Sequence, residues 1–214
     1  MGEVTRGRFI TFEGMDGSGK STQMQRLADR LRAMGRTVRT TVEPGGPPIA
    51  MKIRHVLLDA ANQDLSPTAE LLLYFASRAQ NVDQVILPAL QQGEIVLSDR
   101  FTDSSLAYQG HGRGLGADAV MALDRIACRG LKPDLTILVD VDADVALARA
   151  RIRNAVEPHS ETRMDDQAIE FHRIVYDAYH KLAQSEPKRV KVVDGRQEID
   201  AIEGEVWSIV SPYV

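Results

Sequence analysis

Gly14-Met15-Asp16-Gly17-Ser18-Gly19-Lys20-Ser21 is a complete G-x-x-x-x-G-K-[ST] run. It lies between an apolar, strand-like stretch, Phe9-Ile10-Thr11-Phe12, and an amphipathic helical pattern. A phosphate loop needs that context. The glycines let successive backbone N–H groups turn inward around phosphate oxygens. Lys20 then reaches the β- and γ-phosphates, Ser21 offers its hydroxyl to Mg²⁺, and the following helix presents its positive end. Gly14 to Ser21, with Thr22 behind them, are therefore expected to hold a nucleoside triphosphate.

Outward from this loop, strands and helices alternate. Short β-rich runs occur at 9–12, 37–42, 95–98, 135–139 and 190–193, each bounded by turn residues or charge. Met24, Leu27, Ala28, Leu31 and Met34 recur at helical spacing, and Gly35 is the stop signal. Phe171, Ile174, Val175, Ala178, Tyr179 and Leu182 form a second such stripe, and Ile199, Ile202, Val206 and Ile209 a third. The segment 66–92 reads as largely helical, opened by Ser66-Pro67. The alternation predicts an α/β fold of the P-loop NTPase kind: a parallel five-stranded sheet with helices on both faces. No repeat or linker divides the chain, so 1–214 is expected to be one domain. The polar, unperiodic stretch 154–165 between two helices reads as a loop, the core of a short lid spanning about 150–165.

The 214 residues are 43% hydrophobic and 26% charged, ordinary values for a globular enzyme with a sizeable core. A net charge of −4 and a pI near 5.8 argue against a nucleic-acid partner. Cys128 is the only cysteine and reads as a small buried helix residue. No signal peptide or membrane-length apolar run is present, so the expectation is a soluble, cytoplasmic protein.

A phosphate loop alone does not choose among kinases, GTPases and transport ATPases. The chain has no Asn-Lys-x-Asp for guanine and no Leu-Ser-Gly-Gly-Gln-like stretch of a transporter. Instead Ser98-Asp99-Arg100-Phe101 follows the apolar strand Ile95-Val96-Leu97. Residues at the C-terminal end of a parallel strand line the ligand crevice of an open α/β sheet. Asp99 there can hold Mg²⁺ through water, and the fork of Arg100 can grip a second phosphate. His55, His111, His159, His172 and His180 are scattered, with no metal-ligand spacing.

From end to end the chain resembles the bacterial thymidylate kinases. The resemblance rests on Phe12 to Gln23, Glu43-Pro44-Gly45-Gly46, Tyr74-Phe75-Ala76-Ser77-Arg78 and Asp99-Arg100-Phe101. It continues through Ser104 to Gly110, Lys132-Pro133-Asp134-Leu135 and Arg149-Ala150-Arg151-Ile152-Arg153. It implies transfer of the ATP γ-phosphate to dTMP, giving dTDP, with Mg²⁺, by a homodimer. The dimer would use apolar helical stripes in 66–92 and 116–128. The rival readings are another P-loop nucleoside or nucleotide kinase, and an ATP-binding regulatory P-loop protein.

By the same resemblance, Arg100 holds the dTMP 5′-phosphate and Arg78 donates to thymine O4. Tyr74 stands where the family usually has a stacking Phe, with Phe75 beside it. Ser105 approaches the base edge with Gln109 close by, Tyr108 packs on the sugar, and Asp16 lies near the 3′-hydroxyl and the metal. Glu43-Pro44 forms a loop against the acceptor. The family pattern has Arg before this Glu, whereas this chain has Val42, followed later by Pro47-Pro48. Arg54 is then either a replacement cation or an exposed helix arginine. Some relatives carry a catalytic Arg inside the phosphate loop, where this chain has Gly17. The matching subgroup supplies that charge from the lid, so Lys20, Arg100 and Arg153 are the expected catalytic residues and Arg149 the adenine contact. Arg151 and Arg163 are expected to substitute in part for Arg153, and Gly17→Arg to rescue its loss in part. No general base is needed, because a phosphate oxygen of dTMP is already nucleophilic.

Overall fold

The computed structural model describes residues 6–156 and 161–214. The strands are β1 (Phe9–Glu13), β2 (Val38–Val42), β3 (Ile95–Asp99), β4 (Leu135–Asp140) and β5 (Val190–Asp194). They form one parallel sheet in the order β2-β3-β1-β4-β5. The central strand β1 is buried at every residue, as a parallel strand covered on both faces must be. Ile10 and Phe12 pack on one face, against Leu27 and Leu31 of α1 (Lys20–Ala33) and Ile202 and Val206 of α9 (Ile199–Val210). Phe9 packs on the other, against Phe101 and the side chains of α3 (Pro67–Asn81), α4 (Leu87–Gln91) and α6 (Ala117–Cys128). Each fully buried Phe or Leu contributes roughly 1.5–3 kcal/mol relative to exposure.

The strand order turns in opposite directions on either side of β1 and β3. That junction is where an open α/β sheet leaves a crevice at its C-terminal edge. Phe12 pairs with Asp99 in register, and Val42 pairs with the same residue. The phosphate loop, Asp99-Arg100 and Glu43 therefore emerge side by side.

Helix details depart from the sequence reading in two places, and the structure refines a third. Met34 is not in the buried stripe of α1; it is the C-cap and exposed, because the chain turns at Gly35 (φ 78°). The segment 66–92 is helical as expected, with Ser66 as the N-cap, and is broken into α3, a π-helical turn (Val82–Ile86) and α4. Pro88 explains the break: lacking an N–H, it cannot donate to the carbonyl four residues back, and the ladder widens ahead of it. The stretch from residue 154 opens as helix rather than loop, since α7 (Ala143–Val156) carries on through Val156. Residues 157–160 of the expected lid, His159 included, lie outside the described residues. From residue 161 the expected lid segment leads on to α8 (Ile169–Ser185). Among the described residues no helix is long and apolar enough to cross a membrane.

Candidate active site

The phosphate loop begins where β1 ends. Gly14 takes φ 135°, and a Cβ there would lie 2.5 Å from the Val139 carbonyl oxygen, so only glycine fits. Gly19 precedes α1 in the left-handed region, with no side-chain cap and no acidic residue in the helix's first turn. The free N–H groups and positive end of α1 are thus left to a phosphate. Lys20 is buried, with Nζ 3.2 Å from Asp16 Oδ1 and 3.4 Å from the Met15 carbonyl oxygen. Ser21 donates its hydroxyl to Asp99 Oδ2, joining the two residues expected at the metal. Their hydroxyl and carboxylate oxygens are the hard donors that Mg²⁺ takes, and Mg²⁺ needs few protein ligands beside phosphates and waters. Among the described residues no cluster of three or more His, Cys, Asp or Glu side chains could bind a metal unaided.

Beside the loop lies a cavity of about 250 Å³. Asp16, Lys20, Ser21, Glu43, Pro44, Tyr74, Arg78, Asp99, Arg100, Ser105, Tyr108, Gln109 and Arg153 all line it, so the structure brings nearly every expected acceptor and transfer residue together. Arg100 sits at φ 73°, a left-handed backbone that costs a non-glycine residue roughly 1–3 kcal/mol. Its guanidinium is held on several sides. Nη2 meets Asp16 Oδ1 at 2.8 Å and the Tyr108 hydroxyl at 3.2 Å, while Nη1 donates to Ser104 Oγ at 2.9 Å and the Tyr179 hydroxyl at 3.0 Å. Burial works against charge on Asp16, but Arg100 and Lys20 outweigh it and hold the carboxyl well below the usual range.

Arg78 is 1% exposed. Its Nε donates to Glu43 Oε2 at 2.5 Å and its Nη2 to Ser105 Oγ at 3.0 Å, while Nη1 is buried with no hydrogen-bond partner among the described residues. Burial raises the Glu43 carboxyl in spite of Arg78. Tyr74 stands one helical turn before Arg78 and is half-buried; burial pushes its hydroxyl up, so it stays neutral. Gln109 donates to Glu70 Oε1 at 2.9 Å. Arg54 proves to be a cavity residue: Nη1 donates to the Pro44 carbonyl oxygen and Nε to Glu161, both at 2.9 Å. Pro47-Pro48 has a local reason, since Pro48 opens α2 (Pro48–Leu58), where no N–H is required.

The lid arginines divide into different roles. Arg153 donates from Nη2 to Asp165 Oδ2 at 3.2 Å and faces the cavity, half exposed. Arg149 lies outside the cavity wall and donates to the Gly195 carbonyl oxygen at 3.1 Å, one helical turn from Arg153 on α7. Arg151 is exposed. Arg163 corrects the sequence reading. It is fully buried, bonded to the Leu57 carbonyl oxygen and to Glu70 Oε2 at 2.8 Å, and ties the far end of the expected lid segment to α3 instead of standing free as a spare cation.

Gly17 corrects it again. A Cβ at Gly17 would lie 2.1 Å from the Ala146 carbonyl oxygen and 2.9 Å from the Ala150 nitrogen, because α7 rests directly on the loop. Arginine there meets helix backbone, which cannot swing aside. Gly17→Arg is therefore expected to restore no activity to Arg153→Ala, and to inactivate the otherwise unchanged enzyme at least 10²-fold by displacing α7, an effect typical of about 1 Å of misplacement. Steady-state kinetics of the single and double variants check this.

Several functional side chains escaped the sequence reading. Glu13 closes β1 fully buried, and burial together with Asp103 pushes its carboxyl up to about 7 against the pull of Arg100. Tyr179 was read only as part of a helical stripe, yet its hydroxyl reaches Arg100. Glu70, also buried, collects Gln109, Arg113 and Arg163. A carboxylate ending an otherwise apolar strand, immediately before a phosphate loop, was the available signal for Glu13.

Comparison with known proteins places the chain in a family. The family model described as thymidylate kinase matches residues 12–206. The thymidylate kinase of Pelobacter propionicus is 52% identical over 198 residues, covering 92% of this chain and 90% of its own. That of Geobacter sulfurreducens is 50% identical over 196 residues, covering 91% and 92% respectively. The crystal structure of thymidylate kinase from Ehrlichia chaffeensis superposes with a TM-score of 0.78 at 32% identity, over 96% of this chain and 99% of that one. With a family match across most of its length and relatives near half identity, this chain belongs to the thymidylate kinase family.

Proposed function

We propose that the chain transfers the γ-phosphoryl group of ATP to the 5′-phosphate of dTMP, giving dTDP, as one domain working in the cytoplasm, with 150–165 as its lid. The supporting observation is a buried Arg78 with an unpartnered N–H on the wall of a cavity that also contains Arg100 and opens beside the phosphate loop. A nucleotide switch needs no second anion site, so this argues for a transferase.

Phosphoryl transfer asks the protein mainly for alignment and neutralisation of charge. Lys20 and the amino end of α1 hold the donor phosphates, and Arg149 meets the adenine. Arg100 fixes the acceptor phosphate, Tyr74 stacks on thymine, and Arg78 with Ser105 reads the base edge. Asp16 pairs with both Lys20 and Arg100, which holds these cations in line for the phosphates that would compete for them. Ser21 and Asp99 would hold Mg²⁺, which when bound shields the phosphate charges. An assay of ADP release with a panel of nucleoside monophosphates tests the reading; dTMP should stand out as acceptor.

We also propose a two-fold dimer. Leu72 of α3 and Ile126 of α6 are 52% and 75% exposed on helices that pack side by side. Sedimentation at micromolar concentration should give twice the 23.6 kDa chain mass; a monomer alone would refute the dimer.

A further inference from the structure

We propose that Glu13 is a positioning residue for the acceptor phosphate: through the hydroxyls of Ser104 and Tyr179 it dictates the direction of the hydrogen bonds that hold Arg100. The inference rests on the reading of Arg100 as the acceptor-phosphate arginine. A guanidinium has donors only, so any hydroxyl facing it must accept. Arg100 Nη1 faces two, Ser104 Oγ at 2.9 Å and the Tyr179 hydroxyl at 3.0 Å. Each hydroxyl carries a single proton, which must then point elsewhere.

Glu13 receives it. Ser104 donates to Glu13 Oε2 at 2.5 Å, and Tyr179 donates to the same oxygen at 3.1 Å. The two hydroxyl oxygens are themselves 2.8 Å apart. The other carboxylate oxygen, Oε1, accepts the Phe101 N–H at 2.7 Å, which fixes the orientation of the carboxylate. The result is a buried chain from carboxylate through hydroxyls to guanidinium. It leaves the lone pairs of both hydroxyls toward Arg100.

Glu13→Gln has nearly the same shape and reverses the polarity. Its amide oxygen must stay opposite the Phe101 N–H, so its NH₂ falls opposite Ser104 and Tyr179. Those hydroxyls would then turn lone pairs to the amide and protons toward Arg100. The expected result is a loss of dTMP affinity of roughly 10- to 100-fold, the scale of one charge-assisted hydrogen bond, with ATP affinity unchanged within about threefold.

Calorimetric titration of the full chain with dTMP and with ATP decides the matter, at about pH 8, where a carboxyl pushed up to about 7 is mostly ionised. Ser104→Ala and Tyr179→Phe should also weaken dTMP and spare ATP. Glu13→Gln should add almost nothing once both hydroxyls are gone, because interacting groups are not additive. Additive losses, or equal weakening of ATP, overturn the inference. If Glu13→Gln fails to fold, the two hydroxyl variants carry the test: dTMP-selective weakening supports the inference, and unchanged dTMP affinity overturns it. Arg100→Lys separates the two levels of the argument. If it leaves dTMP affinity intact, the reading of Arg100 fails; if it weakens dTMP while Glu13→Gln does not, only the role of Glu13 fails.

Discussion

Arg153→Ala is expected to lower kcat by about 10³-fold or more, with much smaller changes in KM for either substrate. Arginines that meet a transferring phosphoryl group contribute roughly 10³–10⁵ in rate. An interaction made mainly in the transition state appears in kcat and not in binding. Arg153 lines the same cavity as Lys20 and Arg100, and among the described residues its side chain is held by Asn154 and by Asp165 at 3.2 Å. Substitutes are scarce: Arg163 is locked to Glu70 and Leu57, Gly17 leaves no room for a side chain, and Arg149 points to Gly195. Lysine at 153 should recover little, since a point charge cannot bridge two phosphate oxygens. A kcat within about threefold of the parent, under roughly 0.7 kcal/mol, would make Arg153 a solvated surface residue.

The second large effect is base choice. Arg78 donates from Nε to Glu43 and from Nη2 to Ser105, and among the described residues its Nη1 finds no acceptor. Thymine O4 supplies one. Cytosine presents an amino group at that position, setting donor against donor in a buried site. Sites built around a buried hydrogen bond reject partners that cannot make it by roughly 10⁴–10⁵, so kcat/KM for dTMP should exceed that for dCMP by at least about 10³. Discrimination against dUMP rests on one methyl and should be modest, about 10- to 200-fold. Equal kcat/KM for dTMP and dCMP would remove Arg78 from base recognition.

What was legible in the sequence followed local rules. β1, the glycines of the loop and the start of α1 are adjacent in the chain, and each obeys its own propensity. Asp99 and Arg100 were found because a strand's C-terminal end marks the crevice whatever the rest of the fold does. The Val42 departure left Arg54 ambiguous, since helical spacing does not say which neighbour a side chain meets; the answer lay in Pro44 and Glu161. Arg163 was misread for the same reason. Its carboxylate, Glu70, is 93 positions away on α3, while Arg163 itself lies in a turn between helices. Gly17 looked like a free position because the clash there comes from the backbone of α7, whose side chains say nothing about how closely it docks. The Glu13 network spans 91 positions to Ser104 and 166 to Tyr179, beyond the reach of any motif.

A phosphoryl group moved between two nucleotides leaves a trace that nucleotide binding alone does not. The most direct measurement is the fate of the label when ATP carrying γ-³²P is incubated with the chain, Mg²⁺ and dTMP. The expected result is label in the β-phosphate of dTDP, one equivalent for each ADP formed, and no label in inorganic phosphate. ADP appearing with label only in inorganic phosphate, or no turnover while ATP binds, would contradict that transfer and leave a nucleotide-binding switch in its place.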